Sequence, residues 1–343
     1  MGFKKGRILV AIKDIIEFKT FEWFAFLNNV DLKNPVPKIL NIELSGYCNC
    51  KCIYCPFHGQ MNLKKDRRGL MSLNTAQKIA NEISLINSID MIDTTGPGEI
   101  FINNRWFEIL NIILAKTNIE KLCMYTNGML LNDENVDKIA KLNVGEIIVE
   151  ISIDGESPSE NDSFRIGAEY SKICDNIRNA QRKWLNKRNL HLVITNCYPA
   201  KEEEVKMNNY VVDSKVGKVP YFLKSDFPDI EKVSQKTFFY GDSDFELSDF
   251  KKIEVRWSQD YKRCLNLFNR IALDYEGNLL KCSCGNAGIE PIASLDMDII
   301  DIWKNDEELK KARFNFINNI NESDFCSYCP GKGIGNYYIL VRR

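Results

Sequence analysis

The chain has 343 residues, 44% of them hydrophobic, and its 46 basic side chains against 47 acidic ones leave a net charge of −1. That is enough apolar chain for one large domain with a small appendage. The charge balance excludes a whole-molecule positive field of the kind that binds phosphate backbones, so no nucleic-acid partner is expected.

Residues 1–37 read as an amphipathic helix with an aromatic face that packs on the main domain. Lys13, Asp14, Glu17, Lys19 and Glu22 interrupt its apolar run, so neither a signal segment nor a transmembrane segment is expected. From Lys38 short β-branched runs alternate with helical periods. The strands are KILNIEL from Lys38, MIDTT from Met91, IEKLCMYT from Ile119, EIIVEISI from Glu146, LHLVIT from Leu190 and KVPYFL from Lys218. The helices carry Ala76, Ile79, Ala80, Ile83 and Ile86, then Phe107, Leu110, Ile113 and Leu114, then Val136, Ile139 and Ala140, then Tyr170, Ile173, Ile177, Ala180 and Trp184. Repeated strand–helix units predict an α/β fold, a parallel sheet with helices outside, in which chemistry gathers at the C-terminal ends of the strands. This body is expected over 38–235, followed by a charged connection over 236–262 and a small cysteine-rich unit over 263–343.

Twelve cysteines and only two histidines, His58 and His191, point to thiol-bound metal in a reducing cytoplasm rather than to a disulfide scaffold or a His-based mechanism. Directly after the first strand stands GYCNCKCIYCPF, in which Cys48, Cys52 and Cys55 are spaced C-x3-C-x2-C with Tyr54 before the third. A zinc knuckle that also used Cys50 is the competing reading of the residues. The spacing resembles the signature of the radical S-adenosylmethionine superfamily. That resemblance implies a partial (β/α)6 barrel and a 4Fe-4S cluster held at three irons by Cys48, Cys52 and Cys55. The fourth iron is left for S-adenosylmethionine, which is cleaved to a 5'-deoxyadenosyl radical. A flavodoxin- or ferredoxin-type electron donor is implied with it.

Later strand exits carry further elements of the same resemblance. TTGPGEI places Gly96, Gly98 and Glu99 like the family's Gly-Gly-Glu element, which implies close approach of the methionine moiety and a carboxylate for its ammonium. The third strand leaves through Thr126-Asn127-Gly128. The fourth runs EISIDGESPSENDSFRIG, in which the resemblance implies Ser152 and Asp154 at the ribose and Arg165 at the methionine carboxylate. Ile100 stands where the family's glutamate is usually followed by proline.

Near the C-terminus Cys264, then Gly277 four residues before Cys282, then the pair Cys326 and Cys329 resemble the SPASM and twitch group. The resemblance implies one auxiliary 4Fe-4S cluster on Cys264, Cys282, Cys326 and Cys329, with Cys284 left over; a structural zinc site is the alternative. It implies a radical oxidoreductase that, like the group's aminocyclitol dehydrogenases, oxidises a sugar- or cyclitol-type carbinol with the auxiliary cluster as electron acceptor. An epimerase or peptide-modifying enzyme, with Cys197 at the fifth strand's mouth as hydrogen donor, is a second expectation. A non-catalytic metal-binding protein is a third.

Overall fold

The computed structural model describes residues 29–55, 57–59, 68–198, 202–203, 215–217, 220–227, 233–237, 239–240, 250–257, 264–283, 291–318, 320 and 335–342. Strands and helices alternate: β1 Ile39–Ile42, α1 Leu73–Ile83, β2 Met91–Asp93, α2 Trp106–Leu114, β3 Lys121–Thr126, α3 Asp133–Ile139, β4 Glu146–Ser152, α4 Tyr170–Trp184, β5 Leu190–Tyr198, α5 Tyr221–Asp226 and β6 Val233–Thr237. β1 to β6 lie side by side in chain order and every neighbouring pair is parallel. The fold is thus α/β with a mostly parallel sheet.

The helices begin where the chain supplies caps. Ser72 accepts from the N–H of Thr75 and Asn132 from that of Asn135, each satisfying a first-turn donor without a partner inside the helix. The apolar stripe of α1 (Ala76, Ile79, Ala80, Ile83) is buried, as are Ile109, Leu110 and Ile113 of α2 and Ile173, Ile177 and Ala180 of α4. They pack on Leu40, Ile92, Leu122, Met124, Ile147, Val149 and Ile151, the outward face of the strands. Since side chains alternate along a strand, the other face of the same strands turns to the concave interior.

Three sequence expectations change. Of KVPYFL, Pro220 caps the N-terminus of α5 and the residues after it are helical, and the sixth parallel strand is VSQKT, a polar run with no apolar signal to find. The helix expected over 1–37 does not extend through 29–37, which form no helix and contain Pro35 and Pro37; residues 1–28 lie outside the described residues. The cysteine-rich segment also does not begin as a separate unit. Arg270–Leu273, here β7, pairs parallel with β1 on its free edge. β8 (Leu279–Leu280) returns antiparallel to it, and β9 (Pro291–Ala293) pairs with β8. Within the expected connection, Phe250–Trp257 pairs antiparallel with Gly335–Arg342. Among the described residues no helix is long and apolar enough to cross a membrane.

Candidate active site at the strand ends

The cysteine loop leaves β1 and is held by the exits of β2, β3 and β4. The N–H of Glu99 donates to the carbonyl of Tyr47 at 2.7 Å. The Asn127 amide donates to Asn49 Oδ1 at 2.8 Å and reaches Cys48 Sγ at 3.9 Å. Lys51–Cys52 pairs antiparallel with Arg165–Ile166, which sets Cys52 opposite Arg165, and Ile53 donates to the carbonyl of Phe164. The motifs that the sequence spreads over more than a hundred residues are therefore one hydrogen-bonded unit.

Inside that unit the thiols already receive backbone donors. The N–H of Cys50 points at Cys48 Sγ and that of His58 at Cys55 Sγ, both at 3.4 Å. Such N–H···S contacts tune a cluster's potential and orient its ligands. Burial pushes the Cys52 thiol up to about 12 and raises Cys55, while the neighbouring Cys50 thiol and burial raise Cys48. Metal binding would release these protons, because the thiolate is the ligand. Among the described residues no three His, Cys, Asp or Glu side chains converge at single-ion distance.

Behind the thiols lies a buried polar group. Asp154 is fully buried; its Oδ2 accepts from the Tyr54 hydroxyl and from Arg165 Nη1 at 3.0 Å, and its Oδ1 from the N–H of Cys197 at 3.1 Å. Arg165 Nη1 also donates to the Tyr54 hydroxyl at 2.7 Å. Burial alone would lower the guanidinium's pKa, but the Asp154 carboxylate outweighs it and keeps Arg165 charged. Its Nε is buried without a partner, an orphaned donor that a ligand carboxylate would satisfy. Asp154, expected at the ribose, has both oxygens engaged within the protein, where it orients Tyr54 and Arg165. Ser152, the last residue of β4, is half-buried on the concave face.

Glu99 is buried and takes the Thr126 hydroxyl at 2.7 Å and the N–H of Asn127 at 2.8 Å. Burial raises its pKa against those donors. Its carboxylate therefore clamps the β2 exit to the β3 exit, a role for Thr126 and Asn127 that the sequence did not disclose. Gly98 also has a reason inside the protein: a Cβ there would stand 2.2 Å from the carbonyl oxygen of Ser45 and 2.5 Å from that of Tyr47. At Gly96 a Cβ would come within 3.0 Å of the Glu43 side chain. Asn161, fully buried and accepting from the N–H of Asp154, was likewise missed, because nothing in its local sequence marks it.

Of the C-terminal thiols, half-buried Cys264 precedes the turn of helix Asn266–Asn269 and packs beside Val30, Leu267, Phe268, Ala312 and Phe316. Half-buried Cys282 follows β8. Gly277 closes the β7–β8 turn at φ +89°, with Asp274 Oδ1 accepting from the N–H groups of Glu276 and Asn278. Cys284, Cys326 and Cys329 lie outside the described residues. Cys197, in β5, is half-buried.

Residues 42–204, which hold every one of these strand-end segments, match the Radical SAM superfamily. Over those residues the chain carries a Radical SAM domain, and that family implies S-adenosylmethionine and a 4Fe-4S cluster. A GTP 3',8-cyclase of Peptoclostridium acidaminophilum is 23% identical over 274 residues, covering 73% of this chain and 82% of that protein. A GTP 3',8-cyclase of Alkaliphilus oremlandii is 27% identical over 175 residues, 51% of this chain and 52% of that protein. Among solved structures, BtrN in complex with AdoMet and 2-DOIA has a TM-score of 0.51 at 14% identity, covering 86% of this chain and 93% of that one. Streptococcus suis SuiB bound to S-adenosylmethionine has a TM-score of 0.55 at 15% identity, covering 94% and 86%. At such identities these structures establish the fold.

Proposed function

We propose that the chain uses Cys48, Cys52 and Cys55 to hold its cluster, Arg165 to bind the methionine carboxylate of S-adenosylmethionine, and the strand ends to direct the resulting radical at a substrate C–H bond. The observation that carries this reading is the orphaned, buried Nε of Arg165, held by Asp154 and Tyr54 directly opposite Cys52. When bound, a three-thiolate 4Fe-4S cluster supplies the electron that cleaves S-adenosylmethionine to methionine and a 5'-deoxyadenosyl radical. The chain's own residues do the positioning. The buried Asp154 fixes the Arg165 fork, Glu99 fixes the β2 and β3 exits, and Ser152 stands half-buried on the concave face where a ribose hydroxyl would be met.

For the outcome we favour dehydrogenation of a sugar- or cyclitol-type carbinol. One hydrogen atom goes to the 5'-deoxyadenosyl radical, then a proton and an electron leave, giving a ketone two mass units lighter. Cys264, Cys282, Cys326 and Cys329 are the thiols that would hold the electron-accepting auxiliary cluster of a SPASM- or twitch-like region. A flavodoxin- or ferredoxin-type protein would supply the first electron, and a cytoplasmic location follows from oxygen-sensitive iron–sulfur chemistry. The names of the two curated relatives support a second, redox-neutral reading in which a nucleotide is cyclised. Epimerisation, with Cys197 as hydrogen donor, and peptide modification share the same first step.

The test is anaerobic incubation with reductant and S-adenosylmethionine: methionine and 5'-deoxyadenosine should appear, and their absence from protein loaded with iron would refute the radical reading. Turnover in deuterated water then separates the outcomes by mass. Loss of two hydrogens marks dehydrogenation, one incorporated deuteron with no such loss marks epimerisation, and an unchanged mass marks cyclisation.

A further inference from the structure

The hairpin that leads into Cys282 meets the parallel sheet through one arginine. Between β7 and β8 the register pairs Ala272 with Leu280 and Leu273 with Leu279. Carried two residues further, the same register sets Arg270 opposite Cys282, on the face that Ala272 and Leu280 share, because side chains alternate along a strand. On its other side Arg270 is the Cα partner of Ile39 in β1, and two residues along β1 Asn41 is the partner of Asp93 in β2. Arg270 therefore stands between a thiol of the C-terminal set and the interior of the sheet.

Both ends of Arg270 are held. Its Nη1 lies 2.6 Å from Asp93 Oδ2, and Asp93 is itself buried, with its Oδ1 accepting from the N–H of Thr95 at 2.8 Å. The backbone carbonyl of Arg270 accepts from the Trp303 indole at 2.9 Å. Trp303 carries the Arg313 guanidinium over its ring, 4.4 Å from the centroid. Arg313 donates in turn to the carbonyl of Trp303 at 2.7 Å and to that of Leu267 at 2.8 Å, just after Cys264 in the chain. The segments next to both thiols are thus tied into one frame. Burial alone would lower the Arg270 pKa, but the Asp93 carboxylate, with smaller help from Tyr125 and the Cys282 thiol, outweighs it, so the charge stays. Nε is nonetheless buried without a hydrogen-bond partner. An unmet buried donor is costly, and a neutral thiol is too weak an acceptor to offset it, whereas a metal-bound thiolate is a strong one.

We propose that Arg270 is a positioning residue of the C-terminal thiol site, where its orphaned Nε and its positive charge serve the sulfur of an iron–sulfur cluster bound through Cys282 and raise that cluster's reduction potential. The inference rests on the auxiliary-cluster reading above and names a residue that would make such a cluster a better electron acceptor. A cluster gains negative charge on reduction, so a neighbouring cation and an N–H···S contact both favour the reduced form. In a low-dielectric interior that preference reaches across several ångströms. Asp93 works in the opposite sense, because its carboxylate cancels part of the Arg270 charge. The pair therefore sets the potential between what a lone cation and an uncharged side chain would give.

The test is a redox titration followed by electron paramagnetic resonance on the full-length chain carrying Cys48→Ala, Cys52→Ala and Cys55→Ala, so that only the C-terminal cluster is observed. Adding Arg270→Gln, which removes the charge, should lower the midpoint potential. Arg270→Lys, which keeps the charge, should stay nearer the starting value, and Asp93→Asn, which leaves Arg270 unneutralised, should raise it. A merely structural role gives no such reversal of sign. Asp93→Asn keeps the oxygen that accepts from Thr95, so it and Arg270→Lys decide the matter if Arg270→Gln does not hold iron. A potential unmoved in the iron-loaded variants, or moved in one direction by both Arg270→Gln and Asp93→Asn, would overturn the inference and leave the auxiliary cluster standing. Absence of iron from the chain with the three loop thiols replaced, or zinc in its place, strikes the auxiliary-cluster reading and the inference with it.

Discussion

The cysteine loop after β1 and the hairpin β7–β8 both present thiols, but they hold them differently. Around Cys48, Cys52 and Cys55 the exits of three other strands are bonded to the loop, through Glu99, Asn127, Asp154 and Arg165. Cys264 and Cys282 flank a short helix and a hairpin whose partners are apolar packing and ordinary strand pairing. The first region is ordered by the protein's own polar contacts, which position its thiols. The second is ordered by the sheet edge it extends.

The largest effect that can sharpen this contrast is removal of the loop thiols. Changing Cys48, Cys52 and Cys55 together to Ala should abolish 5'-deoxyadenosine formation and lower reconstituted iron from about eight to about four per chain. Cys264→Ala should instead spare 5'-deoxyadenosine while abolishing the oxidised product. If both variants lost 5'-deoxyadenosine equally, the two regions would not be separable.

Next in size is Asp154→Ala, which leaves the Arg165 guanidinium buried without its carboxylate. The cost should be about 3–5 kcal/mol in denaturant unfolding, because an uncompensated charge remains inside. A loss below about 1 kcal/mol would show that water, not Asp154, solvates Arg165. Gly98→Ala should cost about 1–3 kcal/mol, since its methyl group meets backbone oxygens rather than a flexible side chain. An equal penalty from Gly96→Ala would blur the distinction, because Glu43 can yield where a carbonyl cannot.

The smallest expected effect is a pH dependence at the clamp. Burial raises the folded-state pKa of Glu99 above its ordinary 4.5. The folded chain therefore binds that proton more tightly than the unfolded chain does. The contribution is fully present below 4.5 and is lost as pH rises through the higher folded value. Glu99→Gln should flatten the stability profile over that window, measured by urea unfolding at a series of pH values. An unchanged slope would mean that the Thr126 and Asn127 donors cancel the burial.

The sequence alone determined the cysteine spacing, the order of strand and helix over the first five strands, and the apolar stripes of α1 and α4. Those signals are local, each carried by residues within a few turns of one another. It could not place the sixth strand, because VSQKT has no apolar alternation and becomes a strand only by pairing with β5. Nor could it tell that Arg270 opens a strand on the free edge of β1 and reaches Asp93, a partner 177 residues away. Asp154 shows the division most clearly. Its strand-exit position is legible in IDG, but whether it meets a ligand or a buried guanidinium depends on what packs above it. Only the antiparallel pairing of Cys52 with Arg165 decided that, because the partner of a buried charge is chosen by tertiary proximity and not by neighbours in the chain.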